Sequence, residues 1–421
     1  MIINMNSNYE IKDISLATEG RMRINWVSQH MPILNTIKNQ FIKEKPFQDK
    51  RIAISVHLEA KGAYLALVMK CGGAEVAIAG SNPYSTKDEV TAALAEEGIK
   101  VYAQYGVPED IFRHYLNRVL DIKPHLIIDD GAELVSIVST ERKELQKNIL
   151  GAAEETTSGI IRLQALEREG KLAFPVIRVN DAYMKYLFDN RYGTGQSVWD
   201  AIMRTTNLNI AGKTVVVIGY GWCGKGIVSR GRGLGAEVII TEINPVHAIE
   251  ARMEGFKVMK LEKAVPYADI FITATGNKNV LVKKHIEKMK DKAILANAGH
   301  FDGEISKRDL KELSIKKNEV RKNIDEYILK DGRRIYLLAQ GSLVNISAGD
   351  GHPIEIMDLS FALQALSIKY INDHYKELEN KLYRVPEDID KKVAILMLEA
   401  SGIEIDELTP EQKRYLQGWK I

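Results

Sequence analysis

The sequence predicts an α/β protein with two parallel-sheet units and a short C-terminal tail. The larger unit covers residues 1–184 and is completed by 352–385, the second covers 190–350, and the tail is 386–421. Three observations predict this. From Arg51 onward, short apolar runs alternate with helix-length segments; residues 212–242 set a glycine cluster between two apolar runs; and the helical stretch after Pro353 leaves the second sheet and returns to the first.

Residues 11–45 carry helical periodicity, with Trp26, His30 and Met31 running up to Pro32, and read as scaffold. The runs RIAISVHL, AEVAIAG, KVYAQYG, HLIIDD and FPVIRVND then read as strands with helices between them. Such alternation gives a parallel sheet, whose ligands bind outside the carboxyl ends of the strands. The residues closing these strands are His57 with Glu59 and Lys61, Ser81-Asn82-Pro83, Asp129-Asp130-Gly131 and Asn180-Asp181. Singly, each reads as a turn or a helix cap. Gathered on one sheet edge, acids beside a histidine and a lysine mark a crevice for chemistry.

Two polar stretches border that crevice. The turn Glu154-Glu155-Thr156-Thr157-Ser158 precedes a helix, so its hydroxyls either cap that helix or reach a ligand. Lys185 and Asp189 stand four apart on a helix, followed by Asn190. On an exposed face that spacing is an ion pair worth a few tenths of a kcal/mol. Inside a crevice it tunes a lysine for proton exchange with a hydroxyl.

The stretch 212–242 has its own logic. Val215 to Ile218 form a buried strand, and Gly219, Gly221 and Gly224 open the next helix at G-x-G-x-x-G spacing. Gly219 permits the tight turn, Gly221 lets a pyrophosphate approach, and Gly224 lets helix and strand close together above the positive helix N-terminus. Glu242 ends the following strand, where a carboxylate accepts from ribose hydroxyls and repels a 2′-phosphate. Strand, glycines, helix and acid together read as a Rossmann site for NAD rather than NADP. Two further apolar runs follow, ADIFITATG before Asn277 and AILANAGHF, placing Asn297, Ala298, Gly299 and His300 where the nicotinamide lies. Residues 302–336 read as a charged connection without chemistry, and Asn345, His352, Met357 and Phe361 come after it.

The formal charge of +2, without a basic block, argues against nucleic acid and acidic membranes as partners. The start MIINMNSNYEIKD has no leader character and no run reaches membrane-spanning length, so the reading is cytoplasmic. Cys71 and Cys223 read as small buried fillers, and no spacing suggests a metal site.

The motifs HLEAK at 57–61, DDG at 129–131, EETTSGIIRL at 154–163, NDAYMKYLFDNRYGTGQS at 180–197, GKTVVVIGYGWCGKG at 212–226, TEINP at 241–245, NAGHFDGEI at 297–305, and LVN with GHP at 343–353 are a long, mostly ungapped set. On these the chain resembles the S-adenosyl-L-homocysteine hydrolase family along essentially its whole length. The resemblance implies reversible cleavage of S-adenosyl-L-homocysteine to adenosine and homocysteine, with one tightly held NAD per subunit in a homotetramer. The 3′-hydroxyl is oxidised, the C4′ proton is removed, homocysteine leaves, water adds and the ketone is reduced again. By resemblance, Lys185 with Asp189 handles the 3′-hydroxyl proton, Asp130 exchanges the C4′ proton, and His57 and His300 serve the sulfur and the water. Glu155 matches the ribose-binding acid, and His352, Met357 and Phe361 match the region over the base. Thr156, Thr157, Ser158, Asn190, Gly219, Tyr220, Gly221, Trp222, Cys223, Gly224, Glu242, Asn277, Ala298, Gly299, His300 and Asn345 match NAD contacts.

The chain departs from the family pattern in places. Many members read H-x-T-x-E where this one has Glu59 and Lys61, and an ammonium suits a 6-keto group better than a 6-amino group. Some methanogen members act on S-inosyl-L-homocysteine, the alternative substrate; an ordinary NAD dehydrogenase and a non-catalytic regulatory relative are remoter readings. Thr194 stands for a common cysteine and His247 for a common asparagine. Longer-tailed relatives reach the neighbouring subunit's NAD, so a chain stopping at Ile421 is expected to retain its cofactor less firmly.

Overall fold

A computed structural model describes residues 8–419. Residues 1–7 of the opening segment MIINMNSNYEIKD, read as lacking a leader, and the last two residues, including Ile421, lie outside the described residues.

The first sheet is built from β1 (Tyr9–Glu10), β2 (Arg51–Val56), β3 (Glu75–Gly80), β4 (Lys100–Tyr102), β5 (Leu126–Asp129), β6 (Gly151–Glu154), β7 (Val176–Arg178) and a late strand, Leu382–Arg384. Their order is β1-β4-β3-β2-β5-β6-β7 and then Leu382–Arg384, with every pairing parallel. The interior strands are buried on both faces, which is why they read as near-continuous apolar runs. Strand order reverses between β2 and β5, so their carboxyl ends open the crevice characteristic of such sheets. His57 and Asp130 follow those two ends directly.

The second sheet holds β8 (Thr214–Ile218), β9 (Glu237–Thr241), β10 (Lys257–Val258), β11 (Ile270–Thr273), β12 (Ala293–Asn297), β13 (Ser314–Arg321), β14 (Ile324–Leu329) and β15 (Arg334–Leu338). In the order β10-β9-β8-β11-β12-β15-β14-β13 it is parallel up to β15, and β14 and β13 continue it antiparallel. Its switch point lies between β8 and β11, above the glycine turn.

Two expectations need correction. Residues 302–336 are no mere connection: they supply β13, β14 and the start of β15, and Glu304 ahead of them has a structural task described below. Residues 386–421 are not tail throughout. The strand Leu382–Arg384, which we label β16, pairs with β7, and the next helix, Glu387–Ala400, buries Ile389 and Val393 in the core of the first unit. Asp390 on that helix accepts from the backbone N–H groups of Tyr183 and Met184 at 2.7 and 2.9 Å. That carboxylate caps the turn leading into Lys185, the segment by which the chain crosses to the second sheet. The return crossing is the long helix Ile354–His374, whose Asp358 caps the helix Pro32–Glu44 by accepting from Ile33 and Leu34 at 2.9 and 2.8 Å. Among the described residues no helix is long and apolar enough to cross a membrane.

Candidate active site

The carboxyl edges of the two sheets face one cavity of about 960 Å³. Each element contributes what its strand end carries. From the first unit come His57, Glu59, Lys61, Asp130, Glu155, Thr156, Thr157 and Ser158; from the crossing come Lys185, Asp189 and Asn190. The second unit adds Gly221, Trp222, Cys223, Ala298, Gly299, His300 and Asn345, and the return segment adds His352, Met357 and Phe361. Of the residues read from the sequence, Gly219, Tyr220, Gly224, Glu242 and Asn277 do not line it.

Lys185 sits where the α-helical turn Tyr183–Lys185 widens into a π-helical stretch, Tyr186–Gly193, a local distortion common at functional sites. Its buried ammonium donates to Asn180 Oδ1 at 3.2 Å, Asp189 Oδ1 at 3.1 Å and Asn190 Oδ1 at 2.9 Å, with Glu155 Oε1 3.6 Å away. The spacing that would give a weak surface pair therefore makes a desolvated cluster. Burial opposes the charge on Lys185, yet Asp189 and Glu155 outweigh it and hold the lysine above its ordinary value. Burial also pushes Glu155 up to about 8, with Lys185 pulling the other way. Against the cost of its own burial, Lys185 and His352 keep Asp189 below the usual carboxylate range.

Asp130 lies opposite, almost wholly buried. Its Oδ2 accepts from Ser81 Oγ at 3.1 Å and stands 3.6 Å from His57 Nε2, while its Oδ1 is 3.9 Å from His300 Nδ1. His57 Nδ1 faces Ser85 Oγ at 2.8 Å, which fixes the ring. Burial lowers His57 to about 4 despite the attraction of Asp130, so the imidazole is neutral at neutral pH. His57, Asp130 and His300 offer atoms within 4.8 Å of one another and could hold a metal ion, a grouping that no spacing in the sequence suggests.

The dinucleotide elements are built as the glycine spacing requires. Gly219 has φ +101°, and a Cβ there would lie 2.6 Å from the Ala274 carbonyl oxygen; a Cβ on Gly224 would lie 2.0 Å from Gly219 O. Gly221 faces open space. Glu242 accepts from the N–H groups of Tyr220 at 2.6 Å, Ile243 at 2.6 Å and Asn244 at 2.9 Å, tying the turn to the end of β9. Tyr220 is buried with its hydroxyl on Glu254, so its side chain points away from the turn. Glu304 accepts from Thr275 N–H and, at 2.7 Å, from Gly276 N–H, holding the loop after β11. Cys223 is a correction to the sequence reading: it is half-buried on the cavity wall, within 3.6 Å of Thr194 Oγ1, and Cys71 is half-buried as well.

Whether these residues suit a bound dinucleotide can be read from their unmet hydrogen bonds. Ser158 Oγ, Asn345 Oδ1 and Glu155 Oε1 are buried on the cavity wall without a hydrogen-bond partner among the described residues. Buried polar atoms are seldom left so, and three around one cavity fit a ligand rich in hydroxyl and amide groups. A Gly224→Ala protein is expected to lose bound NAD by at least tenfold, because its methyl must push Gly219 off the phosphate turn; cofactor released on denaturation, measured per subunit, checks this.

Comparison with known proteins decides the family. The model of S-adenosyl-L-homocysteine hydrolase matches residues 8–148, and that of the S-adenosyl-L-homocysteine hydrolase NAD binding domain matches 190–351. The chain belongs to the S-adenosyl-L-homocysteine hydrolase family. It is similar to the adenosylhomocysteinase of Pyrococcus abyssi, 58% identical over 419 residues covering 100% of this chain and 99% of that protein. It is also similar to the S-inosyl-L-homocysteine hydrolase of Methanocaldococcus jannaschii, 56% identical and covering 98% and 99%, and to the adenosylhomocysteinase of Thermotoga maritima, 54% identical and covering 95% and 99%. As a member of the S-adenosyl-L-homocysteine hydrolase family the protein is a thioether hydrolase with NAD as cofactor. Sequence reading missed several residues of this hydrolase site. Ser360 and Gln364 donate to Asp189 Oδ2 and Glu155 Oε2 at 2.8 and 2.6 Å from the return helix. Their only signal was two polar residues four apart inside the apolar stretch 359–366 of that helix.

Proposed function

We propose that the protein reversibly hydrolyses S-adenosyl-L-homocysteine to adenosine and L-homocysteine. The observation carrying this reading is that a lysine–carboxylate cluster and an aspartate flanked by two histidines share one cavity with the glycine turn of the NAD unit. A bound NAD, held by the glycine turn, Thr156 to Ser158, Asn190 and Asn345, would supply transient oxidation of the sugar's 3′-hydroxyl, making the C4′ hydrogen acidic. Glu155 Oε1 accepts a ribose hydroxyl, and Lys185 with Asp189 carries the 3′-hydroxyl proton. Asp130 takes the proton from C4′ and later returns it. His57, neutral and fixed by Ser85, and His300, arriving from the second unit, attend the departing sulfur and the entering water. Loss of turnover without loss of fold when Lys185 is replaced tests the assignment.

One observation favours a second substrate. Lys61 is buried and donates to Glu59 Oε2 and to the Asp350 carbonyl, each at 2.9 Å, which leaves one ammonium proton for a base edge. A 6-keto group accepts that proton, as S-inosyl-L-homocysteine would; a 6-amino group instead finds its acceptors on the backbone near His352. The expected outcome is a higher kcat/KM for the adenosyl thioether, and a preference of tenfold or more for the inosyl compound reverses the choice. We also read the protein as a cytoplasmic homotetramer, a reading that rests on the family. Ile243 at 97% and Met253 at 83% exposure on the NAD unit suit burial by another subunit.

A further inference from the structure

His352 touches more than a base-binding wall requires. It stands on the return segment just before the helix Ile354–His374, yet both its ring nitrogens face the outgoing crossing. Nδ1 is 3.2 Å from Asp189 Oδ1, and Nε2 is 3.2 Å from Thr194 Oγ1. The ring lies against Gly193, where a Cβ would come within 2.9 Å of its Cγ. Asp189 Oδ1 is the same oxygen that accepts from Lys185 at 3.1 Å, and Oδ2 accepts from Ser360 at 2.8 Å. An ionised carboxylate oxygen only accepts, so the proton of His352 belongs on Nδ1. The Thr194 hydroxyl can then donate to Nε2 or, turned, accept from it, so the ring keeps its place in either protonation state.

We infer that His352 is a positioning residue for the 3′-hydroxyl step, acting through Asp189 on the proton affinity of Lys185. The inference rests on the reading that Lys185 carries the hydroxyl proton. A lysine accepts a proton only when neutral, and a neighbouring carboxylate opposes that state. Each donor that Asp189 accepts from draws charge away from the ammonium. His352 and Ser360 therefore let Lys185 give up its proton more readily than a bare ion pair would. The other ionisable groups facing Lys185 are Glu155 and Asp130; those facing His352 are Asp189, Cys223 through Thr194, and His57 across the cavity. Removing His352 leaves Asp189 with a firmer hold on the Lys185 proton, whether the imidazole was neutral or charged.

The fraction of neutral amine can be read without turnover. In the holoenzyme at fixed pH, a small anhydride acylates neutral lysines, and peptide mass spectrometry gives the rate at Lys185 relative to surface lysines. His352→Ala is expected to lower that relative rate about tenfold, the scale of one hydrogen bond to a charged group. His352→Asn, whose amide N–H can occupy the place of Nδ1, is expected to recover most of the loss. Ser360→Ala, a small change on the other oxygen, is expected to lower the rate in the same sense and carries the test if His352→Ala does not fold. Unchanged or faster labelling in either folded variant overturns the inference, as does His352→Asn labelling no faster than His352→Ala. Failure of the wild-type enzyme to show reduced-nicotinamide absorbance on mixing with substrate would count against the functional reading instead and leave the labelling result standing.

Discussion

Replacing Lys185 by arginine is expected to lower kcat by about 10³-fold or more while fold and cofactor content stay near wild type. Arginine keeps a positive charge beside Asp189 and Glu155, so neither buried carboxylate is left without its cation. It cannot give up that charge near neutral pH and so cannot take the hydroxyl proton. Lys185→Met is the harsher change. It strands the partners of a buried ion pair, a loss of the order of 3–5 kcal/mol, so its inactivity alone would not separate chemistry from stability. Read together by thermal melting, bound NAD and steady-state rate, the two substitutions divide the roles. An arginine variant retaining activity within tenfold of wild type would falsify the assignment of proton transfer to Lys185.

The relation between sequence and site follows from which contacts are local. Parallel strands buried on both faces announce themselves as apolar runs, and their polar terminators, His57, Asp130 and Asn180, could be read as one sheet edge because sheet topology gathers carboxyl ends. The glycine turn was legible for the same reason: its geometry needs residue types at fixed spacing within one short stretch. What stayed hidden depends on distant chain segments. Asp189 reaches Ser360 171 residues away, and Glu155 reaches Gln364 209 residues away. Glu304 caps a loop 28 residues earlier, from a stretch whose charge density made it look like surface. The cluster of His57, Asp130 and His300 joins three strand ends from two sheets, and no spacing rule spans that. The helix Glu387–Ala400 was misjudged because it opens on the charged run Glu387, Asp388, Asp390, Lys391 and Lys392, which masks Ile389 and Val393, the residues that dock it.

Asp130→Asn is expected to abolish exchange of the substrate's C4′ hydrogen with heavy water, by about 10³-fold or more, while chemistry at the 3′-hydroxyl continues. The two steps are served by different groups: Lys185 and its three oxygen partners on one side, Asp130 on the other. Asparagine has the shape of aspartate and can still accept from Ser81 Oγ, but its amide has no useful basicity. The substitution should not unfold the protein. Burial pushes Asp129 up to about 7, with the charge of Asp130 adding to the effect, and Glu154 is raised by its burial and by the same two aspartates. Removing one charge from this buried group relieves repulsion, so the melting temperature should hold or rise. Nuclear magnetic resonance of recovered substrate after incubation in deuterated buffer reads the exchange directly. Deuterium at C4′ appearing within tenfold of the wild-type rate would move the base to His57 or His300, which stand within 4 Å of the same carboxylate.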